Sequence, residues 1–308
     1  MKDPLLSLVV PLFNEEKLID ILFERTVASM KFISEDFEII CVDDGSNDRT
    51  LELLLEKNKV EKRFKVLQLS KNFGHQAAYT AGLNYAKGEF VAMIDGDLQD
   101  PPELIKDMHN LMLQKNLDVV FGRRVSRNES MVKRLMIKLF HWIFNKMSNI
   151  NAPADVGNFS LMNRKALGAL ISLKEKNRYL PGLRYFIGFN QGYVDYERPD
   201  REIGEVKMNF RKLLRLALDA MFSFSKVPIR LCLYLGILGI LFSLTGGGIV
   251  VIKKILGDAI TGWTSILLSI YFLGSVQLLF MGILGEYIHR IFVETQNRPI
   301  FLIKEYYE

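Results

Sequence analysis

Two aspartates one residue apart, Asp95 and Asp97, stand where an apolar run gives way to Gly96, Leu98, Gln99, Asp100 and a Pro101-Pro102 pair. In extended chain, residues i and i+2 point the same way, so the two carboxylates are expected to face one spot. Such a pair repels unless a cation lies between its members. An oxygen-only set suits a hard divalent ion, magnesium or manganese (Mg2+ or Mn2+), which keeps positions for diphosphate oxygens and water. Gln99 offers a carbonyl oxygen to the same place. A second acidic stretch, Val42-Asp43-Asp44-Gly45-Ser46, can accept hydrogen bonds from a base N–H or from ribose hydroxyls. Read as a plain turn with Ser46 or Asp48 as N-cap, it needs no ligand.

Strands are required behind these residues. Leu6 to Leu12, Glu38 to Val42, Phe64 to Leu69, Phe90 to Ile94 and Asp118 to Phe121 are apolar runs of the kind covered on both faces of a sheet. Helices are predicted between them, over Glu15 to Met30, Asp48 to Lys57, His75 to Ala86 and Pro102 to Gln114. This alternation predicts an α/β fold with a mainly parallel, doubly wound sheet whose ligands sit beyond the carboxyl ends of its strands. The first exit, Pro11-Leu12-Phe13-Asn14-Glu15-Glu16, has no glycine-rich turn. Its composition excludes a dinucleotide fingerprint and a P-loop there.

The chain has 308 residues, 24% of them charged and 49% hydrophobic, which excludes a disordered protein and a wholly membrane-embedded one. Cys41 and Cys232 form no disulfide framework and no C-x-x-C site, and the four histidines (His75, His109, His141, His289) are scattered. A net charge of +5 favours an anionic partner. The opening Met1-Lys2-Asp3-Pro4, with an apolar run ending at Pro11, is not expected to be a signal peptide.

The average hides a division. Residues 1–209 read as a soluble domain. Ile229 to Ile252 and Trp263 to Tyr287 (229–252 and 263–287) are each long enough to cross about 30 Å of hydrocarbon. Lys207, Arg211, Lys212, Arg215, Lys226 and Arg230 precede the first run and Arg290, Arg298 and Lys304 follow the second, against only Lys253 and Lys254 between them. That bias predicts a multi-pass protein of the cytoplasmic (inner) membrane, with the N-terminal domain and a tail over 288–308 facing the cytosol. Residues 210–228 hold a basic amphipathic stretch suited to the bilayer interface, or equally to an ordinary domain helix. The cations near the membrane account for the net charge, so no nucleic-acid partner is expected.

The segments Val10 to Glu16, Val42 to Ser46, Lys71-Asn72-Phe73-Gly74-His75-Gln76 and Asp95 to Pro102 resemble family 2 inverting glycosyltransferases with the GT-A Rossmann-like fold. More narrowly, the chain resembles the polyprenyl-phosphate glycosyltransferases, which include bactoprenol glucosyltransferases and dolichyl-phosphate mannose synthases. Gly204-Glu205-Val206-Lys207, Phe222-Ser223-Phe224-Ser225 and the paired apolar runs extend the likeness over nearly the whole chain. The resemblance implies transfer of one sugar, most readily glucose from UDP-glucose, to polyprenyl (undecaprenyl) phosphate. GDP-mannose or another UDP-sugar fits the same scaffold. By the same likeness Pro11, Phe13, Glu15, Val42, Asp44, Asp95, Gly96 and Gln99 match nucleotide-sugar positions, and Asp95, Asp97 and Gln99 match metal positions. Arg123, Arg124 and Arg127 match a basic segment near the reacting phosphates, and Arg198, Arg201 and Lys207 match an acceptor-phosphate loop. A homo-oligomer, with a tetramer as one form, is implied as well.

One departure matters. Where the family usually carries Gly-Asp-Phe and an acid often called the catalytic base, this chain reads Gly157-Asn158-Phe159. An amide accepts no proton near neutral pH. Asp155, just before the glycine, is the alternative acid, and the need for one is small. A phosphate monoester with a second pKa of about 6 is already largely dianionic at pH 7. Asp155 is therefore expected to position the acceptor or its cations. Two rival functions are a processive polysaccharide synthase and a catalytically weak membrane scaffold. The first lacks its Q-x-x-R-W segment here, and the second rests on Asn158 alone.

Overall fold

A computed structural model describes residues 3–125, 156–176, 178–197 and 262–308, with scattered helical positions between 234 and 256. Arg127, Asp155, Arg198, Arg201, Lys207, the 210–228 stretch and nearly all of 229–252 lie outside the described residues. The chain divides into two units, one built on the sheet and including 299–308, the other containing the long helix near the C-terminus.

The expected alternation is present. It runs β1 (Leu6–Leu12), α1 (Ile19–Ile33), β2 (Phe37–Asp43), α2 (Thr50–Val60), β3 (Phe64–Leu69), α3 (His75–Tyr85), β4 (Phe90–Met93), a 3-10 turn at Pro102–Leu104, α4 (Ile105–Lys115) and β5 (Val119–Arg124). Every residue of β1 and β2 is buried, the burial that a continuous apolar run in a two-faced sheet requires. Leu6, Leu8, Val10 and Leu12 pack with Ile39, Phe64 and Val66, with Leu22 and Met30 of α1, and with Met108 of α4. The other face is covered by α3, whose Ala77, Ala78, Ala81 and Gly82 are small enough for close approach.

Beyond the expected elements come β6 (Val156–Asn163), α5 (Arg164–Ser172), α6 (Leu180–Phe186), β7 (Gln191–Tyr196), α7 (Trp263–Thr295) and β8 (Ile303–Tyr307). Among the described residues the strands form one sheet in the order β7-β5-β6-β4-β1-β2-β3-β8. The sheet is parallel except for β6, which runs antiparallel between β4 and β5, and β8, which runs antiparallel to β3.

Three differences from the sequence expectation bear on the architecture. Helix α1 begins at Ile19 and not at Glu15: Leu18 N donates to Glu15 O in a tight i,i+3 turn, and the N–H groups of Asn14, Glu15 and Glu16 are bound to Ser46 Oγ, Thr50 Oγ1 and Asp48 Oδ2. The helix expected to end at Tyr287 runs on to Thr295, with Glu286 and Arg290 paired at 3.0 Å along it. An i,i+4 pair of this kind tolerates charge inside a helix. The expected 288–308 tail is not a separate element, since Ile303–Tyr307 add an edge strand to the sheet. Within α7, Phe272–Thr295 has a mean hydropathy of 1.3 and is the one stretch among the described residues long and apolar enough to span a membrane. Leu278, Met281, Leu284 and Ile288 on it are exposed.

At Gly82 α3 lies close against the sheet. A Cβ there would stand 2.4 Å from Val9 Cγ1 and 2.9 Å from Val42 Cγ2, and β-branched neighbours have little rotamer freedom to yield. Gly82→Val is expected to destabilise the sheet unit by about 1–3 kcal/mol through overpacking. Thermal unfolding of the solubilised chain checks this, and an unchanged melting temperature would show that the contact has slack.

Candidate active site

Strand order decides where a ligand can sit. From β1 the chain moves outward to β2 and β3, then β4 returns to the other flank of β1, so the exit loops of β1 and β4 part at a switch point. An open cleft of about 420 Å³ lies at these exits. Pro11, Phe13, Glu15, Asp44, Asp95, Gly96 and Asp97 line it together with Leu12, Asn72, Gly74, His75 and Ala78. Val42 does not line it, because its side chain is fully buried beneath Gly82. Gln99 is likewise absent from the lining, and its backbone N–H donates to Asp97 Oδ1 at 3.2 Å.

The loops around the cleft are fastened by a carboxylate. Asp44 N donates to Leu12 O at 2.9 Å, and the Asp44 side chain accepts from Phe73 N at 2.7 Å and Gly74 N at 2.9 Å. Burial pushes the Asp44 carboxyl up, the two N–H groups push it back, and the net direction is upward. Gly45 takes φ +69°, and a Cβ there would lie 2.6 Å from the Lys71 carbonyl carbon. Only glycine meets both conditions. Asn14, at φ 55°, accepts from Asn47 N at 2.9 Å and so ties the first exit to the second.

Asp95 and Asp97 follow the end of β4 in a turn, not in extended chain, so the strand-alternation argument does not describe them. Leu98 closes that turn at φ 57°. A Cβ on Gly96 would lie 2.9 Å from Pro11 O, which leaves glycine as the residue that lets the turn approach β1.

Three donors converge on one oxygen of Asp95. Tyr79 Oη lies 2.8 Å from Oδ1, Asn158 Nδ2 3.3 Å and His75 Nε2 3.3 Å. Burial pushes this carboxyl up, but His75, Tyr79 and Asn158 together outweigh it and hold the group well below the usual carboxylate range. The His75 imidazole is pulled down by burial and raised by Asp95, Asp97 and Asp44, with a net rise. Asn158, at the position of the family's usual acid, accepts on its own Oδ1 from Gln76 Nε2 at 3.4 Å.

Among the described residues no set of three or more His, Cys, Asp or Glu side chains is arranged to hold a metal. The donor set nevertheless fits one kind of ion. Mg2+ and Mn2+ are commonly held by one or two carboxylates, with substrate phosphates and water filling the rest. Asp95, ionised and with Oδ1 already occupied by donors, and Asp97 beside it supply that pair.

Arg123 and Arg124 diverge, as successive residues of a strand must. Arg123 forms a fork with Asp195 of β7 at 2.6 and 2.9 Å, its partner in the strand register. Arg124 turns to Tyr196 Oη at 3.1 Å and to the buried Asp100 at 3.7 Å, while Tyr196 donates to Asp100 at 2.5 Å. Sequence reasoning gave no role to Tyr79, Asp100, Tyr196 or Arg184. His75 and Gln76 were legible only as parts of the Lys71–Gln76 motif, and the one signal for Arg184 is a charge inside the otherwise apolar Leu180–Phe186.

The family model described as "Glycosyl transferase family 2" matches residues 7–171. An uncharacterized glycosyltransferase of Synechocystis sp. is 39% identical over 302 residues, covering 97% of this chain and 95% of its own. A prophage bactoprenol glucosyl transferase homolog of Escherichia coli is 35% identical over 301 residues, covering 97% and 98%. A bactoprenol glucosyl transferase of Shigella phage SfX is 37% identical over 302 residues, again covering 97% and 98%.

The Asp44 clamp can be tested without any ligand. Asp44→Asn replaces one acceptor oxygen with a donor, so Phe73 N or Gly74 N loses its partner, at about 1.5–3 kcal/mol for a bond to a charged group. Hydrogen exchange across 71–75 is expected to quicken at least tenfold while β1 stays protected. Unaltered exchange there would mean that the loop is held by other contacts.

Proposed function

The chain belongs to glycosyl transferase family 2, and from that membership we propose that it moves a single glucose from UDP-glucose to polyprenyl (undecaprenyl) phosphate at the cytoplasmic face of the membrane, with inversion. The observation that carries this reading is the pairing, in one chain, of an acid-lined cleft at a switch point with a helix of membrane-spanning length. The near full-length likeness to bactoprenol glucosyl transferases supports the lipid acceptor.

In this reading the GT-A domain occupies 1–209, and two spans, 229–252 and 263–287 with its helical continuation, make the protein multi-pass. Phe13, Glu15 and Asp44 bind the nucleoside, with Pro11 and Gly96 shaping the floor. Asp95 and Asp97 would hold Mg2+ or Mn2+, which when bound would supply positive charge where the leaving diphosphate develops negative charge. Arg124, Arg127, Arg198, Arg201 and Lys207 bind the acceptor phosphate, for which guanidinium forks are suited. Arg123, through its fork with Asp195, braces the neighbouring strand. Asp155 orients the acceptor. One phosphate oxygen of the dianion attacks the anomeric carbon from the face opposite the leaving group. The new C–O bond forms as the bond to diphosphate breaks, and no proton needs to move. A homo-oligomer is part of the proposal, and nucleic acid is not.

The test is a panel of labelled nucleotide-sugars incubated with the purified chain, undecaprenyl phosphate and Mn2+, reading butanol-extractable label and released nucleotide. UDP-glucose is expected to give lipid-linked monosaccharide and UDP, with at least a hundredfold loss in Asp95→Ala, in Asp97→Ala and in excess chelator. Insoluble polymer, no product, or transfer indifferent to chelator and to both substitutions would overturn the reading. In the same assay Asp155→Asn is expected to lower turnover at least tenfold. Full turnover in that variant, with none in Asn158→Ala, would move the role to Asn158.

A further inference from the structure

Arg184 is the largest fully buried side chain of the sheet unit, at 0% exposure. Its donors go to neutral acceptors only. Nη2 donates to Gly157 O at 2.7 Å, Nη1 to Asn158 O at 2.7 Å and to Ser160 Oγ, and Nε to Leu180 O at 3.3 Å. The guanidinium also lies 5.3 Å from the centre of the Phe121 ring. Burial pulls its pKa down to about 10, so it stays charged at neutral pH. A buried cation without a carboxylate partner is costly, and an apolar side chain of similar volume would fill the space more cheaply. Glu38, buried on β2, has Lys65 at 2.8 Å.

What Arg184 holds explains why it is there. Strand β6 pairs with β5 at Ser160 and at Val156, with a register shift between, and its pairing with β4 stops at Ser160. Gly157 and Asn158 lie in that gap, and their carbonyls turn to Arg184, as buried backbone acceptors must find donors. A ring of hydrogen bonds then closes. Arg184 donates to Asn158 O, Gln76 Nε2 donates to Asn158 Oδ1, Leu180 N donates to Gln76 Oε1 at 3.0 Å, and Arg184 donates to Leu180 O. The free end of the Asn158 amide is thereby aimed at Asp95.

We propose that Arg184, with Gln76, is a positioning residue for the donor site: the ring locks the Asn158 amide onto one oxygen of Asp95 and so keeps the carboxylate's other oxygen turned to the cation and diphosphate. This deepens the reading of the cleft as a nucleotide-sugar site and rests on it. Neither residue touches substrate. Both act through Asn158.

Arg184→Lys and Gln76→Met break the ring at different points, and Gln76→Met leaves the buried cation in place. Two measurements on the full solubilised chain decide the matter: hydrogen exchange across 157–160, and Mn2+ binding in the presence of UDP followed by electron paramagnetic resonance. Each variant that folds is expected to exchange at least tenfold faster at 157–160 with β1 unchanged, and to bind Mn2+ with UDP about tenfold more weakly. If Arg184→Lys does not fold, Gln76→Met decides alone. Exchange within threefold of the parent, or Mn2+ binding within threefold, overturns the positioning role. A parent chain that binds no Mn2+ with UDP refutes the donor-site reading instead, and the exchange measurement then judges the ring by itself.

Discussion

An ionised carboxylate in a partly buried position is the constraint around which this site is organised. Desolvation alone would drive Asp95 toward its neutral acid, which holds a divalent cation far more weakly than a carboxylate does. Tyr79, Asn158 and His75 reverse that preference by placing three donors on a single oxygen. His75 and Tyr79 come from adjacent turns of α3 and Asn158 from β6, so the charge state of one residue depends on the docking of α3 and of β6 against β4. The close approach of α3 through Gly82 is therefore part of the chemistry as well as of the packing.

The second acidic exit uses its charge differently. Each oxygen of Asp44 accepts one backbone N–H of the Phe73–Gly74 loop, which closes one wall of the cleft and leaves each oxygen a further lone pair toward it. Asp43, its neighbour, is buried with Oδ2 unpartnered, and burial pushes its carboxyl up. A single Asp-Asp dipeptide at the end of β2 thus builds one loop clamp and one buried carboxyl whose Oδ1 accepts from Ser46 N at 3.2 Å. A phosphate-binding loop would have offered N–H groups to the ligand. Here the N–H groups are consumed by protein carboxylates, which leaves acidic side chains lining the cleft and makes a bridging cation the natural means of accepting a diphosphate.

The parallel half of the sheet was legible because its strands are buried on both faces, and that condition writes itself as unbroken apolar runs such as Leu6–Leu12. The clustering of Asp44, Asp95 and Asp97 followed from topology once those strands were placed. What escaped were features that depend on partners distant in sequence. Glu15 and Glu16 read as helix by periodicity, but the chain makes an i,i+3 turn from Glu15 to Leu18, tied to side chains of the next loop, before α1 begins at Ile19. Strand β6 is interrupted where its polar Gly157-Asn158 pair leaves the ladder, which hides it from any test of alternation. Strand β8 is short and exposed on one side, and only the unpaired edge of β3 makes it a strand. Arg184 carries no periodic signal, because its partners are carbonyls, which every residue has.

The amide at Asn158 follows from the same electrostatics. A carboxylate placed 3.3 Å from Asp95 Oδ1 would add a repulsion of roughly 5 kcal/mol at an effective dielectric of about 20. It would also remove a donor from an oxygen that needs donors to stay ionised. A site with an acid there must hold its cation tightly enough to separate the two charges, and is poorly organised without it. With an amide there, Asp95 is already ionised and oriented before any cation arrives, at the loss of a group able to accept a proton. That loss matters little when the attacking oxygen belongs to a phosphate dianion, and it would matter greatly for a sugar hydroxyl. An amide at residue 158 is thus compatible with the phosphate acceptor proposed above, and in that reading the buried arginine that holds its carbonyl keeps the amide on Asp95.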